Sequence, residues 1–216
     1  MKVTKLEHAC LLIETGGSKL VIDPGSFTLP LADATGVVAI VVTHEHPDHW
    51  TPEQLRRIRH ASPELRVLAA GGAAAAIEAA AVEGLAVAAA HDGDIVEVGP
   101  FTLRFAGERH AVIHPSIPVV DNVGVLVNGL LFYPGDAYTV PPFPVDTLAA
   151  PAGAPWLKIS EAMDYVAAVA PRRAFPTHQM TLSKIGQDTH NARLQAVVEA
   201  AGGSFSTLEP GESVEL

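Results

Sequence analysis

The chain contains 216 residues, of which 48% are hydrophobic and 18% are charged, and its formal net charge is −10. The 14 lysines and arginines are scattered, so the composition disfavours a nucleic-acid polymer as partner and leaves a small-molecule substrate as the expectation. No segment has the pattern of a signal peptide or a membrane span. The single cysteine, Cys10, fits a reducing compartment, and we expect a cytoplasmic protein with one domain over residues 1–216.

The first half of the chain has the pattern of several short strands followed by a β-α-β section. Strand-type segments are separated by turn signals such as Gly16-Gly17. Thr51 and Pro52 are typical of a helix start, and the residues that follow have helical spacing. An Ala-rich helix comes later. The predicted strands are "KVTKLEH", "CLLIET", "KLVID", "VAIVVTH", "LRVLAAG" and "GLAVAAA".

The second half repeats this order of elements. "DIVEVG" and "FTLRFAG" are followed by a hairpin with Asn128-Gly129 at its turn, and then by "TLAAPAG", a helix over about 158–170, and the strand "RAFPTH". The last element is an amphipathic helix that begins near Asp188. This order predicts an α/β protein in which two mixed sheets pack face to face with helices outside.

A dense group of metal-ligand residue types follows the strand "VAIVVTH". Imidazole nitrogens and carboxylate oxygens bind zinc and related divalent ions, and a catalytic site leaves one position for water. If the strand geometry persists, His44 and His46 point to the same side, and Pro47 then redirects the chain. Asp48 and His49 lie just beyond that proline. The group therefore predicts two neighbouring metal ions, which require further ligands.

Three further candidate ligands follow strands later in the chain. They are His110, Asp136 and His178, each after an apolar run and near Gly or Pro. Rigid strands commonly present reactive side chains in this way from one edge of a sheet. The carboxylate in "PGD" can bridge two cations at a separation of about 3.5–4 Å, which suits activation of one water.

The order of these residues resembles the metallo-β-lactamase superfamily over nearly the whole chain. The resemblance implies an αββα four-layer sandwich with a dinuclear site. It implies that one metal is held by His44, His46 and His110, that the second is held by Asp48, His49 and His178, and that Asp136 bridges them.

Shorter segments are similar to the branch that contains L-ascorbate-6-phosphate lactonase. They are "LEHACLLIE", in which Glu7 replaces a glycine, "VIDPG" and "PAGAPWLK". Other branches match less well. B1 and B2 β-lactamases have cysteine at Asp136, flavodiiron reductases have glutamate at His46, and ribonuclease Z relatives carry a basic arm that this chain lacks.

The leading hypothesis is a hydrolase that cleaves a small ester, lactone or phosphodiester with a hydroxide between two divalent metals. Asp48 and Asp136 are the candidate catalytic residues for proton transfer. Zinc suits the ligand set, and manganese, iron, cobalt and nickel fit the same donors. Two alternatives stay open: a cyclic-nucleotide phosphodiesterase or nuclease, and a binding protein that retains its metals without turnover. Association into a homo-oligomer also stays open.

Three other residues are candidates for supporting the site. Asp23 in "VIDPG" either initiates a turn through its side chain or accepts a hydrogen bond that orients a ligand histidine. His8 and His114 either line the substrate pocket or are ordinary surface or core histidines.

Overall fold

The first sheet combines an antiparallel meander with parallel strands. In the computed structural model, which describes residues 1–216, Gly16 and Gly17 have φ of 56° and 77°, a conformation that glycine adopts freely, and they form the first tight turn. The first three strands pair antiparallel, and the later strands join in parallel. The strands are β1 (Lys2–Lys5), β2 (Leu11–Thr15), β3 (Ser18–Ile22), β4 (Val37–Val42), β5 (Arg66–Ala69) and β6 (Ala86–Ala89).

Two helices cover the outer face of this sheet. The helix α1 (Pro52–Ala61) begins at Thr51, whose hydroxyl accepts the backbone N–H three residues on at 3.2 Å. Leu55 and Ile58 lie on its buried face. The Ala-rich helix α2 (Gly71–Ala79) also packs through buried residues against the sheet. The predicted β-α-β section is thus present.

The second sheet repeats the design of the first. Its first four strands pair antiparallel and the remaining strands join in parallel. Asn128 and Gly129 have positive φ, as the predicted hairpin turn requires. The strands are β7 (Ile95–Val98), β8 (Phe101–Ala106), β9 (Gly124–Val127), β10 (Leu131–Tyr133), β11 (Thr147–Pro151), β12 (Arg173–Thr177) and β13 (Ser204–Phe205).

The last third of the chain differs in detail from the sequence prediction. The helix α3 (Ile159–Val169) lies where a helix was predicted, but α4 (Lys184–Ala200) begins before Asp188. A glycine in its first turn weakens the sequence signal, and the Ser183 hydroxyl caps the helix in the structure. The short strands β13 and β14 (Ser213–Glu215) were not predicted, because only their partners β12 and β1 define them.

The predicted αββα sandwich is confirmed. One hydrophobic cluster lies between the two seven-stranded sheets, with Phe101, Phe105 and Tyr133 among its large buried side chains. A second cluster joins the first sheet to α1 and α2, and a third joins the second sheet to α3 and α4. These clusters define four layers. None of the helices is long and apolar enough to cross a membrane.

Candidate metal centre

The predicted ligand residues lie together at one edge of the sandwich. Each comes from a loop that follows the C-terminal end of a strand, and the strands concerned run in the same direction within their sheet. Loops at such ends converge, so residues far apart in sequence can meet. The residues His44, His46, Asp48 and His49 follow β4, while His110 follows β8, Asp136 follows β10 and His178 follows β12.

The loop after β4 is a compact turn. The strand ends at Val42, so the expected continuation of strand geometry through His46 does not occur. The backbone N–H of His49 instead donates to the carbonyl of His46 at 3.0 Å, which closes a turn. The rings of His44 and His46 nevertheless lie on the same side, with centroids 4.7 Å apart.

Four buried histidines present an unpaired nitrogen to the centre. The Nε2 atoms of His44, His49, His110 and His178 have no hydrogen-bond partner. A buried polar atom without a partner is costly unless a ligand satisfies it. In each ring the Nδ1 atom is already engaged, as is common for metal-binding histidines. His44 Nδ1 contacts the Thr43 hydroxyl at 3.1 Å, and His49 Nδ1 contacts Asp23 Oδ2 at 2.7 Å. His110 Nδ1 contacts the Ala111 carbonyl, and His178 Nδ1 contacts the Gly153 carbonyl at 2.8 Å.

Asp136 lies between these nitrogens. Its Oδ1 is 3.3 Å from His49 Nε2, and its Oδ2 is 3.2 Å from His178 Nε2. The same Oδ2 is 3.5 Å from His110 Nε2. The carboxylate is 3% exposed, so it is available to the centre and hardly to bulk water. This position suits a carboxylate that contacts two ions.

The potential ligand atoms form overlapping groups within 4.8 Å. One group matches the set that the resemblance implies for the first metal. The resemblance implies Asp48, His49 and His178 for the second metal. No single group contains all three, but each of them occurs in two of the other three groups. The groups are His44 with His46 and His110, His44 with Asp48 and His49, His49 with Asp136 and His178, and His8 with Asp48 and His178.

The electrostatic environment divides the histidines into two kinds. Burial lowers the pKa of His44 and His46, which favours the neutral imidazole that metal ligation requires. Burial opposes protonation of His178 as well, but the Asp136 carboxylate beside it raises its pKa to about 9. Burial likewise raises the pKa of Asp136, yet His178 and His49 bring it well below its usual range. A bound cation therefore competes with protons for these ligands.

Asp23 contacts the candidate ligand His49 from the side opposite the centre. It is fully buried, and its Oδ2 lies 2.7 Å from His49 Nδ1. The carboxylate also accepts the backbone N–H and the hydroxyl of Thr43, at 2.8 and 2.7 Å. Of the two alternatives for Asp23, the structure favours the acceptor that orients a ligand histidine.

His8 and His114, for which the sequence left two interpretations open, occupy different environments. His8 is 1% exposed, its Nε2 lies 3.2 Å from Asp48 Oδ2, and its ring is 3.8 Å from that of His178. It therefore belongs to the candidate centre. His114 is exposed, and its Nδ1 contacts Ser116 within the same loop. The structure does not bring His114 to the ligand cluster.

Backbone strain is concentrated at this edge. Six residues other than glycine have positive φ, and three of them are His8 (57°), Asp23 (49°) and His178 (56°). Such conformations are costly for residues with a side chain and persist where the surrounding structure enforces them. The backbone N–H of His178 donates to the carbonyl of His8 at 2.8 Å, which joins two of these positions across the sheets.

Several supporting residues could not be identified from the sequence. Trp156 donates its indole N–H to Asp136 Oδ2 at 2.7 Å. Asn122 accepts the backbone N–H of Asp136 at 3.0 Å. Gly25 lies against the backbone of Asp48, where a Cβ would be 1.7 Å from the carbonyl oxygen. The only sequence signal at Gly25 is its place in the Asp-Pro-Gly turn.

Two curated relatives match most of the chain. Protein Rv0786c of Mycobacterium tuberculosis is 41% identical over 199 residues, which cover 90% of this chain and 91% of the relative. UPF0173 protein PF0020 of Pyrococcus furiosus is 31% identical over 206 residues, with coverage of 90% and 91%.

Solved structures share the fold at low sequence identity. Igni18, described as a novel metallo hydrolase from Ignicoccus hospitalis, has a TM-score of 0.74 and 18% identity, and the match covers 99% of this chain and 97% of that one. CmlA, a diiron β-hydroxylase from Streptomyces venezuelae, has a TM-score of 0.76 and 17% identity. The match covers 100% of this chain and 54% of CmlA, so the chain spans about half the length of that protein.

A family model extends these similarities to a named group. The model described as the beta-lactamase superfamily domain matches residues 2–178, a span that includes every predicted metal ligand. The sandwich and the order of the ligand residues agree with this match. The chain belongs to the metallo-β-lactamase superfamily.

Proposed function

We propose that the chain is a metal-dependent hydrolase that cleaves a small ester, lactone or phosphodiester. In this proposal two divalent ions are held by the seven residues at the sheet edge. The proposed ligands are His44, His46, Asp48, His49, His110, Asp136 and His178.

The observation that carries the proposal is the set of unpaired atoms at the centre. Four buried Nε2 atoms and Asp136 Oδ1 make no hydrogen bond of good geometry, although three of these nitrogens lie 3.2–3.5 Å from the Asp136 carboxylate and every Nδ1 atom is engaged. Their mutual proximity is difficult to explain as packing, because each unpaired polar atom destabilises the fold by about 1–3 kcal/mol. Ligation of cations would satisfy all of them together.

The bound ions would supply a hydroxide nucleophile by lowering the pKa of a shared water and would polarise the substrate oxygen. The nitrogen and oxygen donors suit zinc, and they also accept manganese, iron, cobalt or nickel. The description of Igni18 as a metallo hydrolase agrees with this proposal, whereas CmlA shows that the same fold also carries a diiron hydroxylase.

Two carboxylates have separate roles in the proposed reaction. The Asp48 side chain is 25% exposed and lies 3.3 Å from His178 Nε2, so it can accept a proton and exchange it with solvent. Asp136 is buried and is fixed by the Trp156 indole, which suits a ligand that maintains the spacing of two ions. Nearby histidines lower the pKa of both carboxyl groups against the effect of burial, so both are ionised at neutral pH.

The decisive experiment measures metal content and hydrolysis together. Purified protein is analysed for bound metal and assayed with 4-nitrophenyl acetate, γ-butyrolactone and bis(4-nitrophenyl) phosphate. We expect His46→Ala and Asp136→Ala to lose metal and activity in parallel, because each removes a ligand atom from the cluster. His60→Ala, which changes an exposed histidine on α1, should retain both. Full metal content and turnover in the two ligand variants would refute the assignment.

A further inference from the structure

A cavity of about 360 Å³ opens beside the candidate centre, and His110 forms part of its wall. This volume is near the lower end of the range for small-molecule pockets, which is about 300–1,000 Å³. The cavity therefore has room for part of a small substrate whose reacting atom lies at the metals. It is formed by the loops after β8 and β10, the segment before α3 and the first turn of α3.

Aromatic side chains form one wall of this cavity. The Trp156 ring lies 5.8 Å from that of His110 and 5.2 Å from that of Tyr138, measured between centroids. Trp156 cannot turn away easily, because its indole N–H is held by Asp136. Its ring is thus a fixed apolar surface close to the proposed ligands.

The rest of the lining combines apolar side chains with Arg109, Thr139 and Glu161. Ala111, Val112 and Ala137 contribute apolar surface, and Val112 is 59% exposed because nothing in the chain covers it. Arg109 and Glu161 also line the cavity, and their opposite charges give it no net formal charge. An apolar substituent would gain from the aromatic and aliphatic part of this wall, because burial of methylene groups is favourable.

We propose that this cavity binds the apolar acyl or alkyl substituent of the substrate, and that Trp156 determines this specificity. The inference rests on the proposed hydrolase function and adds a substrate class to it: esters or lactones with an apolar chain. A second cavity of about 210 Å³, which includes Asp92, Glu108 and Asp121, shares Arg109 with this one but has no Trp or Tyr in its lining, and none of the proposed ligands lines it.

The first test uses the metal-loaded full chain and a series of 4-nitrophenyl acetate, butyrate and hexanoate. We expect kcat/KM to rise roughly fourfold for each methylene that becomes buried. Trp156→Phe keeps an aromatic wall and should retain most of this dependence, whereas Trp156→Ala should flatten it. Val112→Asp should reduce hexanoate hydrolysis more than acetate hydrolysis. Ile95→Asp changes an exposed apolar residue outside the cavity and should preserve the dependence.

A binding measurement separates this inference from the proposed function. Acetate and hexanoate are titrated into metal-loaded protein while tryptophan fluorescence is recorded. Hexanoate should act at lower concentration than acetate. Calorimetry replaces fluorescence for the Trp156 variants, and the difference should persist in Trp156→Phe and vanish in Trp156→Ala. Acetate hydrolysis with no chain-length dependence would overturn the cavity assignment and leave the hydrolase intact. Chain-dependent binding without hydrolysis of any ester, lactone or phosphodiester would overturn the proposed function and support the cavity. If the protein shows neither hydrolysis nor chain-dependent binding, both the proposed function and the cavity assignment are overturned.

Discussion

Asp23 fixes the orientation of His49: its Oδ2 lies 2.7 Å from His49 Nδ1, while His49 Nε2 lies 3.3 Å from Asp136 Oδ1. The acceptor and the candidate centre thus occupy opposite sides of one imidazole. This arrangement makes Nε2 the nitrogen available for a metal. Asp23 follows β3 in the first sheet, and Asp136 follows β10 in the second. In each sheet the next strand, β4 or β11, pairs in parallel.

Asp23→Asn should weaken metal binding. The amide presents one acceptor oxygen where the carboxylate has two, so it cannot serve both Thr43 and His49 as the carboxylate does. We expect metal affinity to fall about 10–100-fold, measured by competition with a chelator. Asp33→Asn changes an exposed carboxylate in the same loop and should leave the affinity unchanged. Equal affinities in both variants would contradict the role of Asp23.

Gly25→Ala should displace the loop that carries the proposed ligands Asp48 and His49. The added Cβ would lie 1.7 Å from the carbonyl oxygen of Asp48 and 2.0 Å from its carbonyl carbon, and backbone atoms cannot rotate away as a side chain can. We expect lower metal content and a lower Tm. Gly71→Ala is the matched control, because its nearest atom would be 3.4 Å away. Wild-type metal content in Gly25→Ala would show that the loop tolerates the shift.

His8→Ala should weaken one metal position more than the other. His8 contacts Asp48 at 3.2 Å, whereas the group formed by His44, His46 and His110 does not include it. Calorimetric titration should show one tight site and one weakened site. His8→Gln has the same left-handed backbone cost but keeps a hydrogen-bonding side chain, so it should restore part of the lost affinity. Two unchanged sites in His8→Ala would argue against this positioning role.

The burial of Lys5 predicts that the stability of the fold depends on pH, independently of the metal centre. Burial lowers the pKa of this 1% exposed lysine to about 8, and its ammonium donates to the Leu208 carbonyl at 2.8 Å. Below about pH 8 Lys5 is protonated in both the folded and the unfolded chain, so burial of its charged ammonium destabilises the folded chain by the full amount. Between about 8 and the unfolded value of 10.5, the unfolded chain binds more protons, so stability rises with pH.

The comparison with Lys5→Met isolates this contribution. The unfolding free energy of the wild type relative to Lys5→Met should rise by about 3 kcal/mol as pH increases from 7.5 to 10.5. Urea unfolding at fixed ionic strength measures this difference. Lys2→Met changes a half-exposed lysine on the same strand and should show no comparable trend. A constant difference for Lys5→Met would mean that Lys5 titrates normally.

Local patterns were sufficient to predict most of the fold. Apolar runs bounded by Gly and Pro marked the strands, and Thr51 with Pro52 marked the start of α1. The edge strands β13 and β14 were missed because segments of only two and three residues carry little strand signal without their partners. The start of α4 was placed too late because Gly186 interrupts its first turn.

The sequence by itself determined which side chains are available for metal chemistry, because ligand-type residues directly after apolar strands can be recognised locally. It could not determine which of them meet. His114 resembled His8 as a candidate, yet only His8 reaches Asp48. The tertiary structure also decided that Trp156 holds Asp136, 20 residues away, and that Gly25 supports Asp48. Such contacts join separate loops, so they depend on how the two sheets pack and on no local pattern.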